Sequence, residues 1–482
     1  MAKLTEQEIE AIARRIVVDL HGLPEESPPP APAGAVAAPG RAPGLFATVD
    51  EAVAAAAKAQ PAFVALPLAQ RARIIATIRT TMLENCETLA RAAHSETGLG
   101  RVEDKIVKNR LVTEKTPGLE ELYAVTVTGD HGLTLTEPAP FGVIGAITPC
   151  TNPTSTIICN AIGMLAAGNT VVFNAHPLAR ECSAQTVVLL NRAITSAGGP
   201  PNVATCVSNP TIESAQELMR HPGVRLLVVT GGGAVVKAAM ASGKRAICAG
   251  PGNPPAVVDE SADVDKAARD IVLGASTDNN IICVDEKETI CVASVADQLV
   301  AAMTRHGAAL IDPRLLPPLE ALIFTKQAGP RQHAEINKLL IGKDAAEILS
   351  RLGMSVPATT RLAIVEVDAD HPLLWTEQMM PIMPVCRVPS AHAAIDLAVK
   401  VEGGNRHTAV MHSRNIDALS RMAKACDCSI FVKNGRSQAG LGLDGEGFCS
   451  FTIASPTGEG LTGPRSFSRL RRCTMVDHFR IT

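Results

Sequence analysis

Residues 143–173, VIGAITPCTNPTSTIICNAIGMLAAGNTVVF, contain the pattern that decides the fold. The apolar stretch 143–147 predicts a strand, segment 154–167 predicts a helix that ends at Gly168, and 170–173 predicts the next strand. The same alternation continues as helix, strand, helix and strand over 178–196, 203–207, 211–220 and 226–229. Strands that alternate with helices at this spacing predict an α/β fold with a doubly wound parallel sheet.

The rest of the chain predicts a second lobe and β appendages. The other predicted elements are helices at 49–58, 70–94 and 264–276, a hairpin of strands at 124–127 and 133–136, and a strand at 256–258. Gly129-Asp130 is the predicted hairpin turn. The second series of strands and helices extends to about residue 430, and we find no internal repeat. Two α/β lobes are therefore expected.

The composition excludes several classes of protein. The 482 residues include 48 acidic and 45 basic ones, for a formal net charge of −3, and 2% are aromatic. Such a chain lacks the positive charge that neutralises nucleic-acid phosphates and the aromatic platforms on which bases stack. No apolar run reaches the roughly 18 residues of a membrane span, and charges within the N-terminal apolar pattern exclude a secretory signal. We therefore expect a large soluble intracellular protein with no nucleic-acid or membrane partner.

Cysteine usage predicts reduced thiols. Thirteen cysteines, an odd number, occur at irregular spacings and without a CxxC pair. Cys426-x-Cys428 alone is too little for a zinc site, so no metal is expected. We expect most of these thiols to be buried as small apolar side chains and one of them to be reactive.

The first 44 residues differ from the rest of the chain. Thr5 and Glu8 form a predicted capping box, and apolar residues at helical spacing predict an amphipathic helix over 1–20. Residues 21–44 are a linker rich in proline and alanine, which predicts an extended, semi-rigid spacer. Either the helix folds back onto its own domain, or it is an address peptide for a groove on another protein. The long spacer favours the second alternative.

Three segments carry candidate chemistry, and the first is the glycine turn 231–233 after the strand 226–229. A helix that starts at such a turn can bind a pyrophosphate with its free amides. The GxGxxG pattern is incomplete here, because Val236 stands where the third glycine would fall. A plain tight turn explains the segment about equally well.

The second segment, Thr148-Pro149-Cys150-Thr151-Asn152-Pro153, lies between a predicted strand and a predicted helix. Ligands bind at this edge of an open α/β sheet. An asparagine amide placed there can donate a hydrogen bond to a developing oxyanion. The alternative role is helix capping, for which Asn152 and Thr154 are both suited.

The third segment is the polar turn 277–283, which ends in Cys283. A thiol in a loop is better placed for chemistry than one inside an apolar strand, such as Cys291. Cysteine nucleophiles form thioesters readily because sulfur attacks well and leaves well afterwards. The alternative is that Cys283, like most cysteines in such a chain, is inert packing.

Together these segments resemble the aldehyde dehydrogenase superfamily. More narrowly, three stretches are similar to the CoA-acylating aldehyde dehydrogenases, namely DNNIICVDEKE (278–288), EGGNRHTAVMHS (402–413) and TGEGLTGPRSFSRLRRC (457–473). The N-terminal helix with its linker resembles the encapsulation peptide of the propionaldehyde dehydrogenases of propanediol-utilising bacterial microcompartments. The resemblance to the enzymes extends from about residue 45 to the end.

The resemblance implies a reaction and the residues that perform it. Cys283 is the nucleophile that forms a thiohemiacetal and then a thioester, while the Asn152 side-chain amide and the Cys283 backbone amide hold the oxyanion. The substrate is a short-chain aldehyde such as propanal, its hydride passes to NAD, and coenzyme A takes the acyl group. The residues implied in NAD binding are Thr148, Pro149, Asn174, His176, Pro177, Thr230, Gly231, Gly232, Gly233 and Glu377. Because Gln378 follows Glu377, the match of Glu377 to the family's ribose-contacting acidic residue stays open by one position.

Three positions depart from the family pattern. Cys248 stands where hydrolysing aldehyde dehydrogenases carry a glutamate general base. Without a base that deprotonates water, water is a poor nucleophile for removing the acyl group from the enzyme. A thiol ionises more easily than water and is therefore the favoured nucleophile. Asn174 replaces a dinucleotide-binding lysine, which leaves the preference between NAD and NADP open. Gly403 replaces a histidine.

The remaining charged residues are given less weight. The basic run Arg465, Arg469, Arg471 and Arg472 either binds the phosphates of coenzyme A or lies on a solvated strand, and we favour the strand. His407 and His412 are the histidines nearest a family motif, and both are expected to be structural.

The resemblance also implies an organisation and a location. Residues 45–123 and 139–248 form an NAD-binding domain, 249–440 a catalytic domain, and 124–138 with 455–482 a β oligomerisation arm. The arm implies a homodimer or homotetramer. The implied location is the bacterial cytoplasm, inside a microcompartment whose shell protein binds residues 1–20. Two alternative functions stay open, a hydrolysing NAD(P)-dependent dehydrogenase that gives the free acid and a catalytically inert shell-cargo adaptor.

Overall fold

A computed structural model describes residues 42–481 of the chain. The predicted helix 1–20 and nearly all of the linker 21–44 lie outside the described residues. The described residues form two compact units. The first comprises the described residues up to Glu96, Lys108–Ala249 and the residues from Cys449 onward, and the second comprises Thr97–Val107 and Gly250–Phe448.

The first unit is built on a six-stranded parallel sheet. In spatial order its strands are Leu45–Phe46, Ala204–Val207, Thr170–Ala175, Val143–Thr148, Leu226–Thr230 and Ala246–Ala249. The inner strands are buried along almost their whole length, as expected for a parallel sheet that helices cover on both faces. The helices are Val49–Val64, Leu68–Glu84, Cys86–Thr97, Pro153–Ala166, Arg180–Ser196, Ile212–Arg220 and Gly233–Met240.

The register of this sheet brings the carboxyl ends of its strands to one edge. Ile147 lies opposite both Asn174 and Val229, and Thr230 lies opposite Ala249. The segments that follow these strands therefore leave the sheet at the same edge, which is where open α/β sheets bind their ligands.

The first unit also contains a three-stranded antiparallel sheet. Its strands Val125–Gly129 and Gly132–Pro140 form the predicted hairpin, and Ser468–Val476 pairs with the second of them. A short antiparallel pair, Ile453–Ala454 with Gly460–Leu461, lies just before that last strand. The strand Ser468–Val476 is exposed along nearly its whole length.

The second unit is built on a seven-stranded parallel sheet. In spatial order its strands are Ala308–Leu310, Leu362–Glu366, Ile382–Val388, Glu288–Val292, Pro255–Val258, Thr408–His412 and Ile430–Lys433. Its helices are Val264–Ala275, Ala293–Arg305, Leu316–Ile323, Ala345–Arg351, Ala391–Val401 and Ile416–Cys426, and Phe324–Lys326 pairs with Glu335–Ile336 in a small antiparallel ribbon.

These elements confirm the predicted α/β fold and differ from the predicted elements at one helix. The predicted helix 70–94 is two helices that separate at Asn85. The Asn85 side chain donates to the Thr81 carbonyl oxygen at 2.8 Å, and such a local bond competes with the helical backbone pattern.

One helix contributes residues to both units. The helix Val102–Lys115 crosses the boundary, and residues 97–107 group with the second unit rather than with the first. The reason is a buried ion pair, since Lys105 Nζ lies 3.0 Å from the carboxylate of Asp278. Among the described residues, no helix is long and apolar enough to cross a membrane.

Candidate active site

The turn before Cys283 has an unusual backbone. Asp278, Asn279 and Asn280 have φ angles of 46°, 55° and 65°. Left-handed conformation costs an ordinary residue roughly 1–2 kcal/mol, and Asn and Asp tolerate it better because their short side chains bond locally. The DNN sequence therefore suits a turn that other residues would resist.

Asp278 anchors this turn within the second unit. Its carboxylate accepts hydrogen bonds from the Arg101 backbone N–H at 2.6 Å and from Lys105 Nζ at 3.0 Å. Gly100 permits this approach, because a Cβ atom there would lie 2.0 Å from the Asp278 carboxylate. The start of the turn is thereby fixed to the segment Thr97–Val107.

Lys287 and Asn280 hold the other side of the turn. Lys287 is 1% exposed, and its Nζ donates to the Asn280 carbonyl oxygen at 2.7 Å, to Asn280 Oδ1 at 2.8 Å and to the Ile282 carbonyl oxygen at 3.1 Å. Asn280 Nδ2 in turn donates to the carbonyl oxygens of Ala275 and Glu286. An ammonium has three donors, and all three point into the loop that carries Cys283.

The environment of Cys283 keeps its thiol protonated. Burial raises the pKa of the Cys283 thiol to about 12, and the nearby Glu377 carboxylate contributes in the same direction. The Lys287 ammonium and the backbone N–H of Cys283 itself oppose this increase in the pKa. This N–H therefore lies beside the sulfur, where it can also donate to an oxygen on the carbon that the sulfur attacks.

The structure gives Glu377 and Gln378 different surroundings. The Gln378 side chain is buried and donates to the Leu373 carbonyl oxygen at 2.6 Å. The Glu377 carboxylate instead accepts from the Gly252 backbone N–H, and burial raises its pKa. Of these two residues, Glu377 is the one that acts on Cys283, and its carboxylate raises the pKa of the thiol, as the Asp285 carboxylate also does.

Asn152 occupies a helix N-cap position without capping the helix. It precedes the helix Pro153–Ala166, yet its side chain accepts no hydrogen bond from that helix. Its Oδ1 accepts from Lys108 Nζ at 2.6 Å, and its Nδ2 donates to Thr151 Oγ1 at 3.1 Å. Thr154 does not cap either, because its hydroxyl donates to Asn109 Oδ1 at 2.8 Å. The capping alternative for both residues is wrong.

The residues predicted to bind NAD in the first unit lie at the carboxyl edge of its sheet. Thr148 and Thr230 end two neighbouring strands, and Thr148 Oγ1 is buried without a hydrogen-bond partner among residues 42–481. Pro149 follows directly. A Cβ atom on Gly232 or Gly233 would meet no atom within 4 Å, so the turn is open at the start of the helix Gly233–Met240.

Two of these residues already have partners in the protein. Asn174 is 2% exposed, and its Oδ1 accepts from Ser214 Oγ at 2.6 Å. His176 Nδ1 accepts from the Leu178 backbone N–H at 3.2 Å, before the turn Pro177–Ala179. Burial lowers the pKa of His176, which keeps the ring neutral. The open turn at Gly231–Gly233 and the unpartnered Thr148 hydroxyl fit a dinucleotide at this edge.

Among the residues that were given less weight, the two histidines are buried and the four arginines are exposed. Burial lowers the pKa of both His407 and His412 to about 4, so neither ring is positively charged at neutral pH. Arg465 lies over the ring of Tyr123 at 4.3 Å. Burial raises the pKa of the Cys248 thiol to about 11, so Cys248 is not a general base near pH 7.

The sequence analysis missed Lys108 and Lys287. Lys287 is a lysine placed directly before an apolar strand and next to acidic residues, and that position was the available signal. Lys108 gave no signal, because its partner Asn152 lies 44 residues further along the chain.

Comparison with known proteins finds one family and several similar proteins. Residues 44–443 match the aldehyde dehydrogenase family. The acetaldehyde dehydrogenase (acetylating) EutE of Salmonella typhimurium is 51% identical over 439 residues, which cover 91% of this chain and 93% of that protein. The propanal dehydrogenase (CoA-propanoylating) of the same organism is 43% identical over 475 residues, covering 98% of this chain and 99% of that protein.

Two solved structures have the same fold. The propionaldehyde dehydrogenase of Rhodopseudomonas palustris, with CoA bound and a cysteine acylated, is 50% identical with a TM-score of 0.87, covering 90% of this chain and 98% of that one. The propionaldehyde dehydrogenase from the fucose utilisation microcompartment of Clostridium phytofermentans is 47% identical with a TM-score of 0.89, covering 91% of this chain and 100% of that one.

Proposed function

Because the chain belongs to the aldehyde dehydrogenase family, we propose that it converts a short-chain aldehyde, NAD and coenzyme A into acyl-CoA and NADH. The observation that carries the proposal is the loop of Cys283. This loop is fixed by a left-handed turn, a buried lysine and a buried ion pair. The backbone N–H of Cys283 lies beside the Cys283 sulfur.

The first half of the reaction forms a thioester on Cys283. The Cys283 thiol releases its proton to solvent, the thiolate attacks the aldehyde carbon, a C–S bond forms, and the carbonyl oxygen becomes an oxyanion. The Cys283 backbone N–H and Asn152 Nδ2 donate hydrogen bonds to this oxyanion. Thr148, Pro149 and the residues 174–177 and 230–233 would hold a dinucleotide, with Glu377 at its ribose, and the bound dinucleotide would supply the hydride acceptor. Loss of hydride from the substrate carbon leaves an acyl group on Cys283.

The second half transfers the acyl group to coenzyme A. Its thiolate attacks the thioester carbon, the bond to Cys283 breaks, and acyl-CoA leaves with the Cys283 thiolate restored. Cys248 supports this route over hydrolysis, because a buried thiol whose pKa is raised to about 11 does not deprotonate water. Relatives that are named as acetylating or CoA-propanoylating enzymes also support it.

The substrate is an aldehyde of two or three carbons, with propanal as the first choice. The relative that aligns over 98% of this chain is a propanal dehydrogenase. The relative with the higher identity, 51%, acts on acetaldehyde, so activity with both aldehydes is expected.

The decisive experiment measures products with and without coenzyme A. We expect NADH and acyl-CoA to form in equal amounts when coenzyme A is present. Without it, we expect one equivalent of NADH and an acyl adduct on the tryptic peptide that contains Cys283. Rapid formation of the free acid without coenzyme A would contradict thiolysis, and full turnover by the Cys283→Ala variant would show that another thiol is the nucleophile.

Residues 1–20 are proposed to bind a microcompartment shell protein and so to place the enzyme inside the compartment. The relative named propanal dehydrogenase (CoA-propanoylating) aligns over 98% of this chain, well into the first 44 residues, and a structural neighbour comes from a microcompartment. A fluorescent reporter fused to residues 1–20 is expected to enter assembled shells. Diffuse fluorescence in cells with intact shells would contradict this role.

The three-stranded sheet is proposed to hold a homodimer or homotetramer together. Its apolar side chains Val125, Val127, Leu470 and Val476 are 48–68% exposed, more than a lone subunit favours. Leu470→Asp is expected to shift the mass measured by light scattering toward that of one chain. An unchanged mass would contradict this role of the sheet.

A further inference from the structure

The Asn152 side chain is held in one orientation by a buried lysine of the first unit. Lys108 is 4% exposed and lies on the helix Val102–Lys115. Its Nζ donates to Asn152 Oδ1 at 2.6 Å, which is short for a hydrogen bond between nitrogen and oxygen. The next residue, Asn109, accepts from the Thr154 hydroxyl at 2.8 Å. Two adjacent residues of one helix thus hold the start of the helix Pro153–Ala166.

The chemistry of the lysine fixes which atom of the amide faces it. An ammonium only donates hydrogen bonds, so the oxygen of the Asn152 amide must point at Lys108. The amide nitrogen then points the other way, where one N–H donates to Thr151 Oγ1 at 3.1 Å. Its second N–H is directed away from Lys108 and is available to an external acceptor.

The positive charge also changes the strength of the amide as a donor. A cation bonded to the amide oxygen draws electron density from the nitrogen, and hydrogen bonds along such a chain reinforce one another. Hydrogen bonds that involve an ionised group are about twice as strong as neutral ones. A donor that is oriented and polarised before the reaction loses no free energy to reorganisation when the oxyanion appears.

We propose that Lys108 is the positioning residue for Asn152, which it orients and polarises for donation to the oxyanion formed when Cys283 attacks the aldehyde. This inference rests on the proposed function, in which Asn152 is an oxyanion donor. Lys108 does not touch the substrate in this account, and its effect on the reaction passes through the Asn152 amide.

The test compares Lys108→Met, Lys108→Gln and Asn152→Ala in the full-length protein. Lys108→Met removes the donor and the charge, and we expect kcat/KM for propanal to fall roughly 10- to 100-fold, less than the 10²- to 10³-fold typical for loss of an oxyanion donor itself. Lys108→Gln keeps an N–H donor without the charge, so its loss is expected to be smaller. Lys58→Met, on an exposed part of the helix Val49–Val64, is the matched control and is expected to change nothing.

Two further measurements separate positioning from general disruption. The rate at which iodoacetamide alkylates Cys283 is expected to stay within about twofold of wild type in both Lys108 variants, because displacement at a saturated carbon forms no oxyanion. In the Asn152→Ala background, Lys108→Met is expected to cause little further loss, since the group it acts through is gone.

The outcomes decide between distinct failures. Additive losses in the double variant, an equal loss of alkylation, or a Lys108→Gln variant worse than Lys108→Met would overturn the role of Lys108. If Asn152→Ala is costly and Lys108→Met is harmless, the inference fails while the proposed function stands. If Asn152→Ala turns over at the wild-type rate, the role of Asn152 in the proposed function fails first and the inference with it.

Discussion

The Cys283 thiol offers a prediction whose size follows from its surroundings. Burial and the Glu377 carboxylate both raise its pKa, which reaches about 12 in the absence of ligands. At pH 8 such a thiol is about 10⁻⁴ ionised, whereas an ordinary cysteine with a pKa of about 8.5 is roughly one-quarter ionised. Since the thiolate is the nucleophile, alkylation of Cys283 is expected to be about a thousandfold slower than that of a free cysteine.

Neutralising Glu377 is expected to accelerate this alkylation. Two charges a few ångströms apart interact by about 2–4 kcal/mol at an effective dielectric constant of 20. Burial raises the pKa of Glu377, so this carboxylate binds a proton more readily than an ordinary glutamate does and the full repulsion is an upper bound. We expect Glu377→Gln to lower the pKa of Cys283 by about one unit, which is roughly a tenfold faster reaction at pH 8.

The assay follows labelling of the Cys283 peptide by iodoacetamide between pH 7 and 10, without NAD, by mass spectrometry. The wild-type rate is expected to rise about tenfold per pH unit without a plateau, because this range lies below the pKa. Glu446→Gln, an exposed glutamate, is the control for the substitution. A plateau between pH 7 and 9, or a slower reaction in Glu377→Gln, would refute the account of the thiol.

The other predictions concern the loop and its surroundings. Lys287→Met removes the charge that lowers the pKa of Cys283, so labelling at pH 8 is expected to slow roughly tenfold, and faster labelling would contradict the electrostatic role. Asn280→Ala removes three hydrogen bonds and is expected to reduce the free energy of unfolding in urea by about 3–5 kcal/mol. Asn280→Gly is expected to lose about 1 kcal/mol less, because glycine adopts a φ of 65° without strain, and equal losses would show that the backbone carries no strain. His412 is neutral and buried with a pKa near 4, so it binds a proton more readily in the unfolded chain. Protonation of His412 is therefore expected to lower the free energy of unfolding by about 1.4 kcal/mol per pH unit as the pH drops from 6.5 to 4. If the free energy of unfolding of His412→Gln depends on pH as steeply as that of the wild type, this contribution of His412 is contradicted.

The parts of the fold that the sequence predicts are those set by local burial. Strands such as Val143–Thr148 and Thr170–Ala175 are buried on both faces, so they are continuous apolar runs that the sequence displays directly. The assignment of 97–107 to the second unit could not be predicted in this way. It depends on the pairing of Lys105 with Asp278, which are 173 residues apart. The sequence around either residue gives no sign that the two side chains pair.

The same contrast applies to the site. Cys283 could be singled out because a polar turn ending in cysteine is visible in the sequence, and Asn152 because it lies between a strand and a helix. The two lysines that hold these residues could not. Lys287 reaches back into its own loop, and Lys108 meets Asn152 only in the folded chain, across 44 residues of sequence. A buried lysine shows its function only when its acceptors are known.

Asn152 shows most clearly why the local pattern was insufficient. Its position at an N-cap was predicted correctly, and an asparagine there normally stabilises the helix by about 1 kcal/mol through its side-chain oxygen. That oxygen cannot accept well from the helix amides while it faces an ammonium at 2.6 Å, and a charge-assisted bond is the stronger of the two. The helix Pro153–Ala166 therefore begins without the side-chain cap that its own sequence provides. A local preference given up in favour of one fixed amide orientation agrees with the proposed role of Asn152, and both features follow from the one contact with Lys108.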